Sequence, residues 1–262
     1  MVHGASRLTT RLGSRGYFIC AIMGIRAFFR CSPWHGFAIS PGAMIGSCRM
    51  VSSAIMRGSF GGLLIEFLRH GSNAALGLGI VLWLIVAAIG AVTINPLLVV
   101  AGALMFFFSE YGFHRFAFHA RPVRRVPFVL KLQRRLHFDH HETPERLDLL
   151  FLPWWFLAPM LAITAGAIAL IWPNISAISA LIAGSALAIL YYEWVHFLAH
   201  IPYRPRTGYG RWIKKYHLRH HFKNEQVWFG VTNPSFDRLL GTCPNPETVP
   251  RSAQVRHLHP DD

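Results

Sequence analysis

Histidine is the residue type in this sequence whose spacing points to chemistry. Ten of its fifteen histidines fall in two short blocks, and each block has a histidine pair followed by the motif H-x-x-H-H. The ten are His114, His119, His137, His140, His141, His196, His200, His217, His220 and His221. Imidazole nitrogen suits zinc, copper, iron and nickel, and ten rings are too many for one ion but enough for two. We interpret the blocks as one dimetal centre built from two matching halves of the chain.

The spacings within the blocks favour helices. Positions i, i+3 and i+4 of H-x-x-H-H lie on one face of an α-helix, and so do His196 and His200 at i and i+4. His114 and His119 are five residues apart and do not share a face of a regular α-helix. Either the helix ends or bulges into a π-turn between them, or the two histidines serve different metals.

Neither cysteine nor a set of carboxylates accompanies the histidines. Structural zinc sites usually include cysteine, and soluble di-iron bundles use several carboxylates in E-x-x-H motifs. Each block instead has one glutamate ahead of its first histidine, Glu110 and Glu193. A glutamate near a membrane end is costly without a partner, so we predict that both orient imidazole N–H groups. The histidines outside the blocks lack this spacing and are interpreted as solvated or core residues: His3, His35, His70, His257 and His259.

The elements that must position these residues are apolar. The chain is 53% hydrophobic, and only 15% of its residues are charged, against roughly 25% in soluble domains. No lysine or arginine lies between Arg69 and Arg115, or between Arg146 and Arg204. Each window has room for two spans of about 20 residues. We therefore predict an all-α integral membrane fold with four transmembrane helices, near residues 75–94, 97–113, 148–172 and 175–195. A soluble α protein is the alternative, but its helices rarely run past about 18 apolar residues.

Two uncharged turns, Asn95-Pro96 and Pro173-Asn174, divide the spans into two hairpins. All 26 basic residues lie at the outer ends of the hairpins. The positive-inside rule then places both termini and both histidine blocks in the cytoplasm of a bacterial inner membrane or an ER-type membrane. The histidines would sit in a helical cap of residues 114–147 and 196–242. The net charge of +14 is explained by this bias and by anionic lipid, which argues against a nucleic-acid partner.

Residues 1–60 contain seven arginines, no lysine and no acidic residue. We expect a basic, poorly ordered segment; a transit peptide, a disordered tail and translated sequence before a later start such as Met44 all remain open. Residues 61–72 are expected to form a short amphipathic helix at the membrane interface, at the start of the main domain, residues 61–262. The four cysteines show no C-x-x-C spacing and are expected to be reduced.

The order H-x4-H, H-x2-H-H, H-x3-H, H-x2-H-H resembles that of the membrane fatty acid hydroxylase superfamily. Two strings near the second block, Y-H-L-R-H-H-F-K-N and F-G-V-T-N-P-S-F-D-R-L-L-G-T, are most similar to the fatty acid (sphingolipid) 2-hydroxylases. The resemblance covers about residues 75–242. It implies a di-iron monooxygenase that uses O2 and two electrons, with four spans capped by a cytosolic lobe that holds both metals. It also places Tyr192 and Glu193 where the family has polar residues close to the metal ligands.

The resemblance further implies a membrane lipid substrate and two iron ions, which zinc can replace in purified protein. No b-type cytochrome domain is recognisable in the sequence, so we expect a separate electron donor: a b-type cytochrome, a ferredoxin or a reductase. A carotenoid or sterol hydroxylase and a lipid desaturase are the alternatives within the enzyme class. A metal transporter and a structural or adaptor membrane protein are the alternatives outside it. A transporter would place its ligands at mid-membrane in discontinuous helices, whereas these histidines follow the apolar runs.

Overall fold

The computed structural model describes residues 17–22, 25–30 and 59–258. The chain divides into two units, Met1–Leu63 and Leu64–Asp262. In the first unit, strands β1 (Tyr17–Ile22) and β2 (Ile25–Arg30) form an antiparallel hairpin. The sequence analysis did not predict this hairpin. The remainder of the basic segment before residue 59, including the possible leader or tail, lies outside the described residues.

Every regular element between residues 59 and 258 is helical, as the sequence predicts. Two helices continue directly into π-helical turns, π1 (Phe113–Phe118) after α3 and π2 (Arg134–Phe138) after α4. The α-helices are α1 (Phe60–Leu68), α2 (Gly71–Ala88), α3 (Pro96–Gly112), α4 (Pro127–Gln133), α5 (Asp139–Glu142), α6 (Leu147–Leu150), α7 (Trp154–Ile171), α8 (Ile175–His200), α9 (Gly208–Phe222) and α10 (Ser235–Leu239).

Four stretches are long and apolar enough to cross a membrane: Gly71–Ala88, Pro96–Phe118, Leu147–Ile171 and Ile175–His200. They confirm the predicted four-span fold, and their bounds lie within a few residues of the prediction at most ends. The fourth helix is longer than expected and runs without a break to His200, so that His196 and His200 lie on it.

An asparagine side chain caps the helix that follows each of the two uncharged turns. The Asn95 side chain accepts hydrogen bonds from the backbone N–H of Leu97 and Leu98, and the Asn174 side chain accepts one from Ala177 at 2.9 Å. The two turns also meet, since Thr93 N–H donates to Ser176 Oγ at 3.0 Å. The two hairpins are therefore joined at the end away from the histidines.

Helix α8 is the centre of the bundle. It is 56% buried along its apolar window, whereas the other three spans are at most 17% buried. A Cβ atom on Gly102 would lie 2.0 Å from the Leu181 carbonyl oxygen, and one on Gly184 would lie 2.0 Å from that of Val99. Small residues of this kind let membrane helices approach closely. Here they bring α3 against α8. Helix α3 leads into the π1 turn that carries His114, and α8 carries His196.

Helix α1 occupies the region expected to form an interfacial helix. Its Phe67 ring packs against Phe151, Trp194 and Phe197, at centroid distances of 5.7, 5.2 and 6.0 Å. Its opposite side exposes Ile65 and Leu68. Helix α1 therefore has one apolar face against the protein and a second apolar face that is free, which suits a helix at a lipid surface.

Candidate metal centre

The structure brings all ten histidines of the two blocks together in two clusters of five. In each cluster one nitrogen atom of every ring lies within 4.8 Å of the corresponding atoms of the others. Cluster A consists of His114, His119, His137, His141 and His220. Cluster B consists of His140, His196, His200, His217 and His221. The clusters adjoin, because the His141 ring of cluster A stacks on the His221 ring of cluster B at 4.1 Å and 22°.

Each cluster takes four rings from one block and one ring from the other. In the first H-x-x-H-H motif, His137 and His141 belong to cluster A, and His140 belongs to cluster B. In the second motif, His217 and His221 belong to cluster B and His220 to cluster A. Consecutive helical residues are about 100° apart, so neighbouring histidines such as His140 and His141 diverge toward different clusters. Each motif thus gives one ring to the cluster built mainly from the other block, His140 to cluster B and His220 to cluster A. The sequence analysis did not predict this exchange.

The π1 turn explains the unusual spacing of His114 and His119. The backbone N–H of His119 donates to the carbonyl of His114 at 3.1 Å, an i to i+5 bond that defines a π-turn. The two rings lie 5.1 Å apart in cluster A. Of the alternatives that the sequence left open, the bulged helix is therefore the one observed.

The ring nitrogens converge on a common point in each cluster. His119 Nε2 lies 2.7 Å from His137 Nε2 and 2.9 Å from His220 Nε2. In cluster B, His200 Nε2 lies 2.9 Å from His217 Nε2, and His140 Nε2 lies 3.1 Å from His196 Nε2. His114 Nε2 and His141 Nε2 are buried and have no hydrogen-bond partner among the described residues. Convergent, buried imidazole nitrogens of this kind fit one transition-metal ion in each cluster.

The rings of the cap are held in the neutral form that metal ligation requires. Burial, and then repulsion from neighbouring imidazoles, lowers the pKa of His119 and His137 well below the usual range. Burial lowers the pKa of His140 to about 3, with His114 as a further cause. A ligand must be deprotonated before it can bind a metal, so these rings are ready for ligation at neutral pH.

Three rings of cluster A are oriented by backbone carbonyl oxygens. His220 Nδ1 lies 2.9 Å from the carbonyl oxygen of Val227, and His141 Nδ1 lies 3.0 Å from that of Val255. His114 Nδ1 contacts the carbonyl oxygen of Phe229. Because a carbonyl only accepts, each Nδ1 carries the proton, and each Nε2 is left with a free lone pair. A carbonyl is common to every residue type, so sequence reasoning had no side-chain signal for these acceptors.

Trp228 separates two of these carbonyls and adopts an unusual backbone conformation. It is buried, and its φ of 61° lies in the left-handed region that non-glycine residues rarely occupy. Its backbone N–H donates to Thr242 at 2.9 Å. A conformation of this kind costs about 1–3 kcal/mol and persists only where the surroundings enforce it. Here it lets the flanking carbonyls of Val227 and Phe229 both face cluster A.

The structure corrects the role predicted for the two glutamates. Glu110 Oε1 accepts hydrogen bonds from Val231 N–H and Thr232 N–H at 2.8 and 2.9 Å, and its Oε2 accepts one from the Thr232 hydroxyl at 2.5 Å. Glu193 Oε1 accepts one from Leu152 N–H at 2.9 Å. Within residues 59–258 neither carboxylate forms a hydrogen bond with an imidazole. Backbone amides and the Thr232 hydroxyl bind both oxygens of Glu110, and the amide of Leu152 binds one oxygen of Glu193. Glu193 Oε2 is buried without a hydrogen-bond partner among the described residues. The bonds that the two glutamates form therefore position backbone rather than rings.

The loop that carries the Phe229 carbonyl is held from two sides. Glu110 binds its far end, and Asp237 accepts from Phe229 N–H and Gly230 N–H at 2.9 and 2.7 Å. Asp237 also accepts from the Thr242 hydroxyl at 2.7 Å, and burial raises its pKa. Two buried carboxylates therefore fix the acceptor for His114, although within the described residues neither forms a hydrogen bond with a ring of cluster A.

Lys214 plays a comparable part beside cluster B. Its Nζ donates to the carbonyls of Leu198, Ile201 and Tyr203, at 2.8, 2.7 and 2.9 Å. Burial lowers the pKa of this amine to about 8. These carbonyls belong to the last turn of α8 and the residues just after it, so Lys214 fixes the helix end that carries His200.

An apolar cavity of about 180 Å³ reaches cluster A from the spans. Three hydroxyls in its wall bond to helix carbonyls: Ser109 to Phe106, Thr164 to Met160 and Ser185 to Gly102. Tyr192 lies in the wall with its ring 5.5 Å from that of His196. The wall is formed by Met105, Phe106, Ser109, Glu110, Phe113, His114, Phe118, Leu152, Phe156, Leu157, Met160, Leu161, Thr164, Ser185, Ile189 and Tyr192. The cavity wall is thus mainly hydrocarbon and includes a ring of cluster A.

The other described histidines lie outside both clusters. The His70 ring packs against Phe151 at 4.8 Å, and His257 Nδ1 is 3.8 Å from Glu142 Oε1. His3, His35 and His259 fall outside the described residues.

Comparison with known proteins agrees with this arrangement. The family model for fatty acid hydroxylases matches residues 99–242. A ceramide very long chain fatty acid hydroxylase of Saccharomyces cerevisiae is 32% identical over 153 residues, which cover 56% of this chain and 38% of the yeast protein. A dihydroceramide fatty acyl 2-hydroxylase of Arabidopsis thaliana is 31% identical over 169 residues, which cover 60% of this chain and 64% of the plant protein. A fatty acid 2-hydroxylase of Rattus norvegicus is 28% identical over 154 residues, which cover 59% of this chain and 41% of the rat protein.

A solved structure has a similar fold. It is described as full-length scs7p with only the hydroxylase domain visible, and it superposes with a TM-score of 0.55 at 26% sequence identity. The match covers 73% of this chain and 68% of that one. The alignments with the three relatives span between 38% and 64% of those proteins' lengths.

Proposed function

The chain belongs to the fatty acid hydroxylase family, and from this premise we propose that it is a membrane-bound dimetal monooxygenase that hydroxylates a lipid acyl chain. The observation that carries the proposal is the cavity between the spans, whose wall is mainly apolar and includes His114 of cluster A. An acyl chain in this cavity would be brought from the bilayer to the metal centre. Neither a transporter nor an adaptor requires a hydrocarbon pocket whose wall includes a metal ligand.

Clusters A and B would each hold one ion, and we propose iron as the metal. Iron bound there would supply the activation of O2, in a reaction that converts R–H, O2, two electrons and two protons to R–OH and water. The protein's own contribution is positioning. The ten rings hold the ions, the carbonyls of Val227, Phe229 and Val255 orient rings of cluster A, and the apolar wall keeps water from the C–H bond.

The site of hydroxylation is proposed from the relatives. Two of those compared above are named as 2-hydroxylases, one of them acting on dihydroceramide fatty acyl chains. We propose that this chain hydroxylates carbon 2 of a fatty acid or of the acyl chain of a sphingolipid. Tyr192 lies in the cavity wall beside His196, where its hydroxyl could contact the polar end of such a lipid.

The cap is proposed to face the cytoplasm. The turns at residues 89–95 and 172–174 carry no charge, and the basic residues lie at the opposite ends of the spans. A one-electron donor of the b-type cytochrome, ferredoxin or reductase class would then reach the cap from the aqueous side.

Expression in a host that lacks lipid 2-hydroxylase activity would test the proposal. Mass spectrometry of total lipids should show acyl chains that carry one added oxygen atom, and fragmentation should place it at carbon 2. A His200→Ala variant is the control. Products that have lost two hydrogens and gained no oxygen would identify a desaturase instead. Purified protein without any bound transition metal would exclude the proposed centre.

A further inference from the structure

Residues 244–257, here called the C-terminal strap, follow the part of the chain that matches the family model, residues 99–242. They contain no helix or strand, yet one of them, Val255, contacts a ring of cluster A, His141. Val255 in the strap is only 4% exposed. A burial this deep in a segment without regular structure shows that specific contacts hold it.

One set of contacts ties the strap to the end of α9, just after the second H-x-x-H-H motif. Ser252 N–H donates to the Lys223 carbonyl at 2.8 Å, and the Ser252 hydroxyl bonds to Glu225 Oε1 at 3.1 Å. The Asn224 side chain donates to the Pro250 carbonyl at 3.3 Å. The strap is therefore anchored two to four residues beyond His221.

A second set of contacts ties the strap to the first H-x-x-H-H motif. The Val255 carbonyl accepts from His141 Nδ1 at 3.0 Å. Arg256 donates to the carbonyl of Glu142, the residue after His141, at 2.5 Å. The Arg256 guanidinium also lies over the Phe222 ring, 5.9 Å from its centroid. The strap thus bridges the ends of the two motifs that exchange His140 and His220.

We propose that the C-terminal strap is a positioning element for the metal of cluster A. The Val255 carbonyl fixes the tautomer and orientation of His141, and Arg256 holds the peptide that follows this ring. Within the described residues the strap forms no hydrogen bond with a ring of cluster B. We therefore expect it to support metal binding at cluster A and not at cluster B. Loss of such an outer contact typically lowers metal affinity about 10–100-fold. The inference rests on the proposed two-metal centre.

Controlled cleavage of the chain within the strap tests whether the strap positions the metal of cluster A. A specific protease site is inserted between Glu247 and Thr248, both of which are exposed. The iron-loaded full chain, in lipid nanodiscs, is cut and dialysed against a chelator, and its metal content is measured. We expect the content to fall from two ions per chain to one, with the helical circular dichroism unchanged. The same protease site appended after Asp262 is the control and should leave both ions bound.

A His200→Ala background identifies the ion that is lost. This variant lacks a ring of cluster B, so the ion that it retains is assigned to cluster A, and strap cleavage should then remove that ion as well. If the cleaved wild-type protein keeps both ions, the strap has no positioning role, although the dimetal centre stands. If cleavage removes both ions together or unfolds the helices, the strap is a general support and the selective role is wrong. If the uncut protein holds no metal, the proposed dimetal function is wrong, and the role of the strap is wrong with it.

Point variants measure the same effect without cutting the chain. Arg256→Ala should release the cluster A ion to a chelator about 10–100-fold more readily, whereas Arg256→Lys should restore retention because an amine can still donate to the Glu142 carbonyl. Arg251→Ala is the matched control, because Arg251 is an exposed arginine of the same strap. Equal release from Arg256→Ala and Arg251→Ala would overturn the proposal.

Discussion

Clusters A and B each contain five imidazoles but are constructed differently. Four rings of cluster B form two i, i+4 pairs on the regular helices α8 and α9. Cluster A uses the two π-turns, which carry His114 and His137, and its rings are oriented by carbonyls that follow α9 in the sequence. Helical geometry therefore suffices to arrange most of cluster B, whereas cluster A depends on loops far along the chain. Two metal sites with the same number and type of ligands can thus differ in the structural elements that stabilise them.

The largest effects should come from the two exchanged rings. His220→Ala removes a ligand of cluster A, and His140→Ala removes one of cluster B. Both variants should insert normally and lose lipid hydroxylation, because the proposed reaction needs both ions. Metal analysis should show one ion retained in each variant. Hydroxylation that persists in either variant would show that the clusters are not a joint centre.

The next test breaks the π-turn that distinguishes cluster A. Deletion of Ala117, which is exposed, shortens H-x4-H to H-x3-H and favours a regular α-helical turn. We expect His119 to leave cluster A, so that one ion is lost while cluster B keeps its own. Deletion of Arg125, in the exposed loop before α4, is the control and should leave both ions bound. Metal content and turnover are the measurements, and two retained ions after the Ala117 deletion would contradict the role of π1.

Smaller effects should follow from the groups that support each cluster indirectly. Glu110→Ala leaves the buried N–H groups of Val231 and Thr232 without an acceptor, at about 1–3 kcal/mol each, and loosens the loop that orients His114. Lys214→Met frees the carbonyls at the end of α8 beside His200. Chelator competition should show weaker binding at cluster A in the first variant and at cluster B in the second. Glu110→Gln and Lys214→Arg keep most of the hydrogen bonds and should bind nearly normally. If Glu110→Ala and Lys214→Met weakened metal binding at the same cluster, the two clusters would not have separate supports, and the comparison would be wrong.

The sequence predicted the features that depend on residue type and spacing. Apolar windows without lysine or arginine predicted the four spans, and Asn95 and Asn174 marked the two turns. The spacings identified the ten histidines that the structure brings together. The i, i+5 pair also raised the possibility of a π-turn.

Features that depend on tertiary approach were missed. The exchange of His140 and His220 follows from how α5 and α9 face each other, which spacing within one motif does not contain. Glu110 was assigned to an imidazole because a glutamate near a membrane end needs a partner. The amides of Val231 and Thr232, about 120 residues away in sequence, bind one of its oxygens instead. The carbonyl of Val255 was not considered, since no side-chain type marks a backbone acceptor.

The exchange of rings between the two motifs also determines the order in which the protein is translated, inserted into the membrane and loaded with metal. Cluster A needs His220 and the Val255 carbonyl, and cluster B needs His217 and His221, so neither can close while the ribosome is still translating the second motif. All four spans precede these residues and can enter the bilayer first. Metal delivery is therefore expected to be a late maturation step that acts on a protein already in its membrane.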